Sequence, residues 1–127
     1  YGPDWGVTQF HYSEVKRSTR KAAGFSTSIH DLADLNKING FHYSFFGPVF
    51  KSLSKPGYSG TLDLDFKLPR HMQNKLVALG GITVENIAHV FEMGFDNAAV
   101  LGTIWSNPSN ALQVFRQLQD KCKLAEV

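Results

Sequence analysis

Apolar positions along the chain gather in short blocks, separated by stretches where they recur at helical spacing. Val7–Ser13 and Phe25–Ile29 read as strands, as does part of Phe41–Phe50, an aromatic-rich run interrupted by Gly47-Pro48. Leu76–Leu79 is wholly apolar and stops at Gly80-Gly81; Ala98–Ile104 follows the same plan and breaks around Gly102. Strands apolar at every position are buried on both faces, as parallel strands are.

Helical signals fall between these blocks. Asp31 caps a short helix with Leu32, Leu35 and Ile38 on one stripe, stopped by Asn39-Gly40. Thr83 caps a second, with Glu85 in its first turn, an apolar face of Val84, Ile87, Ala88 and Phe91, and Gly94 at its end. Asn107-Pro108 opens a third, whose inward stripe is Ala111, Phe115, Leu118 and Cys122. Alternating βα units with buried strands mean a parallel α/β fold, either a doubly wound sheet or a closed (β/α)8 TIM barrel. Local pattern does not separate the two. The placement of glycine fits the barrel: the last two strands both end in Gly-containing turns that run into a helix, where such barrels seat phosphate.

Composition narrows the function classes. At 127 residues, 43% hydrophobic, the chain reads as a single domain over 1–127. It is large enough to bury roughly two thirds of its unfolded surface without a metal or disulfide staple. A net charge of +2 with no long Lys/Arg run gives no footprint for nucleic acid. The apolar runs are far shorter than the ~20 residues of a membrane span, so no membrane partner is expected. Cys122 is the only cysteine, which excludes an internal disulfide and fits a reducing cytoplasm. The opening Tyr1-Gly2-Pro3-Asp4-Trp5 has no initiating Met, as expected of a piece of something longer.

Three segments carry candidate chemistry. Leu79-Gly80-Gly81-Ile82-Thr83 lets backbone amides and a helix N-terminus approach an anion, and Gly102-Thr103 after the next strand offers a second such turn. A Gly-Gly pair also serves as a plain tight turn. Gly47-Pro48 leads into Ser52, Ser54 and Lys55, two hydroxyls and a cation able to grip an anionic group; the competing reading is a solvated loop. The long stretch up to Arg70 fits a mobile functional loop. Ser28 and His30 share a strand face by the period of two, and a histidine there can exchange protons near neutral pH or simply cap a helix. His11, His42, His71 and His89 show no metal-ligand spacing, and the last three read as surface or packing residues.

Taken together, Ser28-Ile29-His30, Phe46-Gly47-Pro48-Val49-Phe50 with Ser52, Ser54 and Lys55, Ala78-Leu79-Gly80-Gly81-Ile82 with Asn86, and Ala99-Val100-Leu101-Gly102-Thr103-Ile104 resemble the thiamine-phosphate synthase and thiazole tautomerase superfamily. The resemblance runs from about His11 to the end of the last helix and matches the fourth to eighth strands of that family's barrel. Closing such a barrel takes at least ~200 residues. The chain is therefore expected to be a C-terminal portion, inactive by itself; were the native protein to have these limits, a partner such as a second copy would have to cover its open edges.

The resemblance implies thiamine biosynthesis: a transferase (thiamine-phosphate pyrophosphorylase) joins a pyrimidine-methyl diphosphate to a thiazole phosphate and releases pyrophosphate. It assigns the pyrophosphate and thiazole-phosphate grip to Ser52, Ser54 and Lys55, with Ser28 near the leaving group. It assigns the thiazole-phosphate cradle to Gly80, Gly81, Gly102 and Thr103. Serines stand where the synthase usually has threonines. The family's magnesium acids have no clear match, because His11-Tyr12-Ser13-Glu14-Val15-Lys16 replaces a His-Val-Gly-Gln type sequence followed by acids. Glu14 is the nearest candidate ligand. Two alternatives stay open: a tautomerase that aromatises a thiazole carboxylate phosphate with His30 as acid/base, and a non-catalytic phosphate-binding or regulatory homologue.

Overall fold

The computed structural model describes residues 11–13, 25–50, 62–63 and 65–125. Within them, β1 (His11–Tyr12), β2 (Ser26–Ile29), β3 (Tyr43–Phe46), β4 (Leu76–Leu79) and β5 (Asn97–Ala99) form one sheet in the order β1-β2-β3-β4-β5. Every neighbouring pair is parallel. Each return to a parallel neighbour needs a crossover, and right-handed crossovers between successive neighbours keep the helices on one side. A doubly wound sheet would reverse its strand order at a switch point and carry helices on both faces. No reversal occurs among the described strands, so this sheet is a stretch of barrel wall.

Side-chain alternation divides the wall into two faces. Thr27, Ile29, Ser44, Phe46, Leu76 and Ala78 lie on the helix side and are fully buried. Ile29, Phe46, Leu76 and Ala78 join one core with Ile87 and Val90 of α1 (Ile87–Glu92), Met93, Phe95, and Leu118 of α3 (Ala111–Ala125). The rings of Phe46 and Phe95 stack with centroids 6.3 Å apart. Two helix-side positions are hydroxyls, each satisfied by the neighbouring strand: Thr27 donates to the Tyr12 carbonyl at 2.5 Å and Ser44 to the Thr27 carbonyl at 3.2 Å. These bonds stitch β3 to β2 and β2 to β1 from within the core.

Several elements differ from the pattern's expectation. The fifth strand ends at Ala99, and Gly102–Trp105 is a short helix, α2, which takes Ile104 out of the strand. The Leu32–Ile38 helix is 3-10 rather than α, capped by Asp31, whose carboxylate accepts from the Ala33 N–H at 2.9 Å. Phe115 is 48% exposed, while Val114, Leu118 and Cys122 face the core. Those three follow i, i+4, i+8, and Phe115, about 100° further round than Val114, falls on their flank. Ala88 is likewise exposed in α1, where Ile87 and Val90 point inward. Of the stretch expected to form a mobile loop, residues 51–61 and 64 lie outside the described residues; nearer Arg70, Leu68 is buried, its N–H donates to the Met93 carbonyl at 2.7 Å, and a 3-10 helix, Arg70–Lys75, leads into β4. No helix among the described residues is long and apolar enough to cross a membrane.

Candidate functional site

All strands being parallel, the turns after β2, β3, β4 and β5 share one edge of the sheet, the edge where α/β proteins place their ligands. Two of these turns are locked together. The Val49 N–H donates to the Leu79 carbonyl at 2.9 Å and the Phe50 N–H to the Gly80 carbonyl at 3.1 Å. Backbones this close leave no room for side chains: a Cβ on Gly47 would stand 2.2 Å from the Leu79 oxygen, and one on Gly80 2.7 Å from the Pro48 Cα. Gly80 and Gly81 also have φ of +102° and +66°, which other residues rarely adopt.

The turn after β4 is held just as firmly from its other side. Asn86 donates to the Gly81 carbonyl at 2.9 Å and accepts from the Thr83 N–H at 2.8 Å, while Thr83 Oγ1 accepts from the Asn86 N–H at 3.3 Å. That reciprocal pair is a capping box with asparagine in the usual Glu/Gln place, so Thr83 caps the turn that winds into α1. Thr103 Oγ1 donates to the Ile82 carbonyl, tying the start of α2 to the same turn. The structure thus brings Gly80-Gly81 and Gly102-Thr103 together, as their matching positions suggest. With the Thr103 hydroxyl directed at Ile82, what this corner can offer an anion is backbone N–H, from helix starts that lack intrahelical partners.

On the face opposite the helices, β1 and β2 present a histidine between two serines. His11 pairs in register with Ser26. Its Nδ1 lies 2.9 Å from Ser26 Oγ and its Nε2 3.2 Å from Ser28 Oγ. The Phe45 ring meets the imidazole edge-on with centroids 5.7 Å apart, and Tyr43 meets Phe45 in the same way at 5.5 Å. His11 is exposed overall, and partial desolvation of its imidazole lowers its pKa from the ordinary value. Ser28 is half-buried near the end of β2, on the same edge as the glycine turns.

His30 lies one residue beyond β2 and is exposed; the imidazole bonded to Ser28 is that of His11. The sequence pattern by itself marks neither His11 nor Ser26 as a site residue. The available signal was the period of two, which puts Ser26 on the face of Ser28; the pairing with β1 that supplies His11 is tertiary. Ser52, Ser54, Lys55 and Glu14 lie outside the described residues. Magnesium is held by carboxylate and phosphate oxygens. Among the described residues no group of three or more His, Cys, Asp or Glu side chains could hold a metal. The side chains gathered around Ser28 are imidazole and hydroxyl, which do not fit that ion on their own.

Residues 5–104 match the family model of thiamine monophosphate synthase. A thiamine-phosphate synthase from Bacillus cereus is 33% identical over 123 residues, covering 94% of this chain and 54% of that protein. The chain thus spans about half the length of this curated relative. Thiamine phosphate pyrophosphorylase from Bacteroides thetaiotaomicron superposes with a TM-score of 0.58 at 26% identity, over 83% of this chain and 56% of that one. The enzyme of the same name from Pyrococcus furiosus gives a TM-score of 0.62 over 94% of this chain and 61% of that one; at 17% identity this likeness shows the fold. Since the match takes in every strand of the sheet and the glycine turns on its edge, the chain belongs to the thiamine monophosphate synthase family.

Proposed function

We propose that the chain is the C-terminal portion of a thiamine-phosphate synthase, a cytoplasmic transferase that joins a pyrimidine-methyl diphosphate to a thiazole phosphate. The observation that carries this reading is the placement, on one sheet edge, of a serine backed by a histidine and of two glycine turns tied to each other. The family match supports it.

In that reaction the C–O bond to the diphosphate breaks, its electron pair leaves with pyrophosphate, and the thiazole nitrogen attacks the carbocation to form the new C–N bond. Negative charge gathers on the departing oxygens, so fixed donors aimed at them lower the barrier. In this assignment Ser28 is one such donor, and Ser52, Ser54 and Lys55 add hydroxyls and a positive charge from the segment after β3. Backbone amides around Gly81 and at Gly102-Thr103 seat the thiazole phosphate and so aim its nitrogen at the cation.

The tautomerase reading has one observation in its favour: besides His30, the same sheet edge carries His11, bonded to Ser28 and with its pKa lowered by burial, a second imidazole able to take a proton. Pyrophosphate release separates the two. The full-length polypeptide containing these residues, given both synthase substrates and magnesium, should release pyrophosphate as the product forms. Isomerisation of a thiazole carboxylate phosphate without pyrophosphate release would instead establish the tautomerase. Binding of thiazole phosphate with neither reaction would establish a non-catalytic homologue.

A further inference from the structure

A neutral imidazole carries one N–H, so Ser26 and Ser28, bonded to opposite nitrogens of His11, cannot play the same part. One hydroxyl donates to the ring and the other accepts from it. Ser26 is 4% exposed, and His11 Nδ1 is the one acceptor its hydroxyl reaches among the described residues. Were Nδ1 protonated, the Ser26 proton would be buried with no acceptor among them, an expensive arrangement. Ser28 is half-buried, so solvent or a ligand can accept its proton in place of the ring.

We propose that Ser26 is a positioning residue: it donates to Nδ1 of His11, fixes the imidazole as the Nε2–H tautomer, and so makes Ser28 accept from His11 and turn its own proton towards the departing pyrophosphate. The inference deepens the synthase reading and rests on it for the identity of the anion. With the opposite tautomer, Ser28 would give its proton to Nε2 and present lone pairs to an anion. Partial desolvation lowers the pKa of the ring, which favours the neutral form in which one tautomer can be selected. The edge of Phe45, 5.7 Å away between centroids, helps hold the ring in place. Ser26 is thereby two residues removed from the chemistry it sets, acting through His11 and then Ser28.

The nitrogen-15 shifts of His11 in the full-length polypeptide test this directly. The expected result is a protonated Nε2 and an unprotonated Nδ1, with Ser26→Ala giving a mixture of tautomers and Ser26→Thr restoring the single one. Pyrophosphate should bind about threefold to tenfold more weakly to Ser26→Ala, the worth of one misdirected hydrogen bond, and normally to Ser26→Thr. A protonated Nδ1 in the unmodified protein, or a tautomer unchanged in Ser26→Ala, overturns the proposal. If the shifts come out as expected but pyrophosphate binds all three proteins equally, the link from tautomer to ligand is refuted. If the shifts come out as expected but pyrophosphate binds none of the three, the synthase reading fails, while the role of Ser26 in selecting the tautomer stands on the shifts.

Discussion

Gly80 is where a turn after one strand meets the turn after its neighbour, with no space for a side chain against Pro48 and a φ of +102°. Gly80→Ala should therefore cost about 2–3 kcal/mol, read as a lower denaturant midpoint with unchanged slope. The Gly-Gly pair was visible in the sequence as a turn and as an amide-rich corner. Its tighter constraint was not, because Pro48 reaches Gly80 only once β3 and β4 pair. His11 shows the same gap, since its serine partners lie fifteen and seventeen residues away. Its lowered pKa has a consequence for stability. The folded value lies below the unfolded 6.5, so the unfolded chain takes up the proton first as pH falls. Stability tied to His11 is complete above about 6.5 and is lost as pH drops from there through the folded value. Thermal melts should show that decline between neutral and mildly acidic pH, and His11→Gln should flatten it.

At the scale of elements, caps and periodicity located the helices but not their phase. Thr83 was readable as a cap, and the structure gives it Asn86 as reciprocal partner. Thr83→Ala should lose about 1 kcal/mol. The α3 stripe was misphased because Phe115 and Leu118 are equally apolar, and helical spacing alone accommodates both. Their environments separate them: Leu118 is buried and Phe115 half exposed. Leu118→Ala should cost about 2–5 kcal/mol, whereas Phe115→Ser should stay within about 0.5 kcal/mol, both measurable by urea unfolding. The reversed outcome would show that the helix packs in the phase its sequence first suggested.

The molecule as a whole is a parallel wall whose strands follow one another in chain order, and that order decides between barrel and doubly wound sheet. Strand pairing is a long-range property, so no local pattern could supply it; the glycine turns pointed to it only through where barrels bind phosphate. In the synthase reading, Lys55→Ala should reduce turnover by two orders of magnitude or so, the usual scale for losing one charge-stabilising donor. His30→Ala should leave pyrophosphate release largely intact. A tautomerase would show the opposite sensitivity.

The synthase assignment requires a phosphate seated by backbone amides where β4 and β5 turn into their helices. The most direct measurement is an amide-shift titration of the full-length polypeptide with a thiazole phosphate. Saturable shifts centred on Gly81, Ile82, Gly102 and Thr103 are the expected result. Saturable binding that leaves those four amides unmoved and shifts another face of the sheet would contradict it.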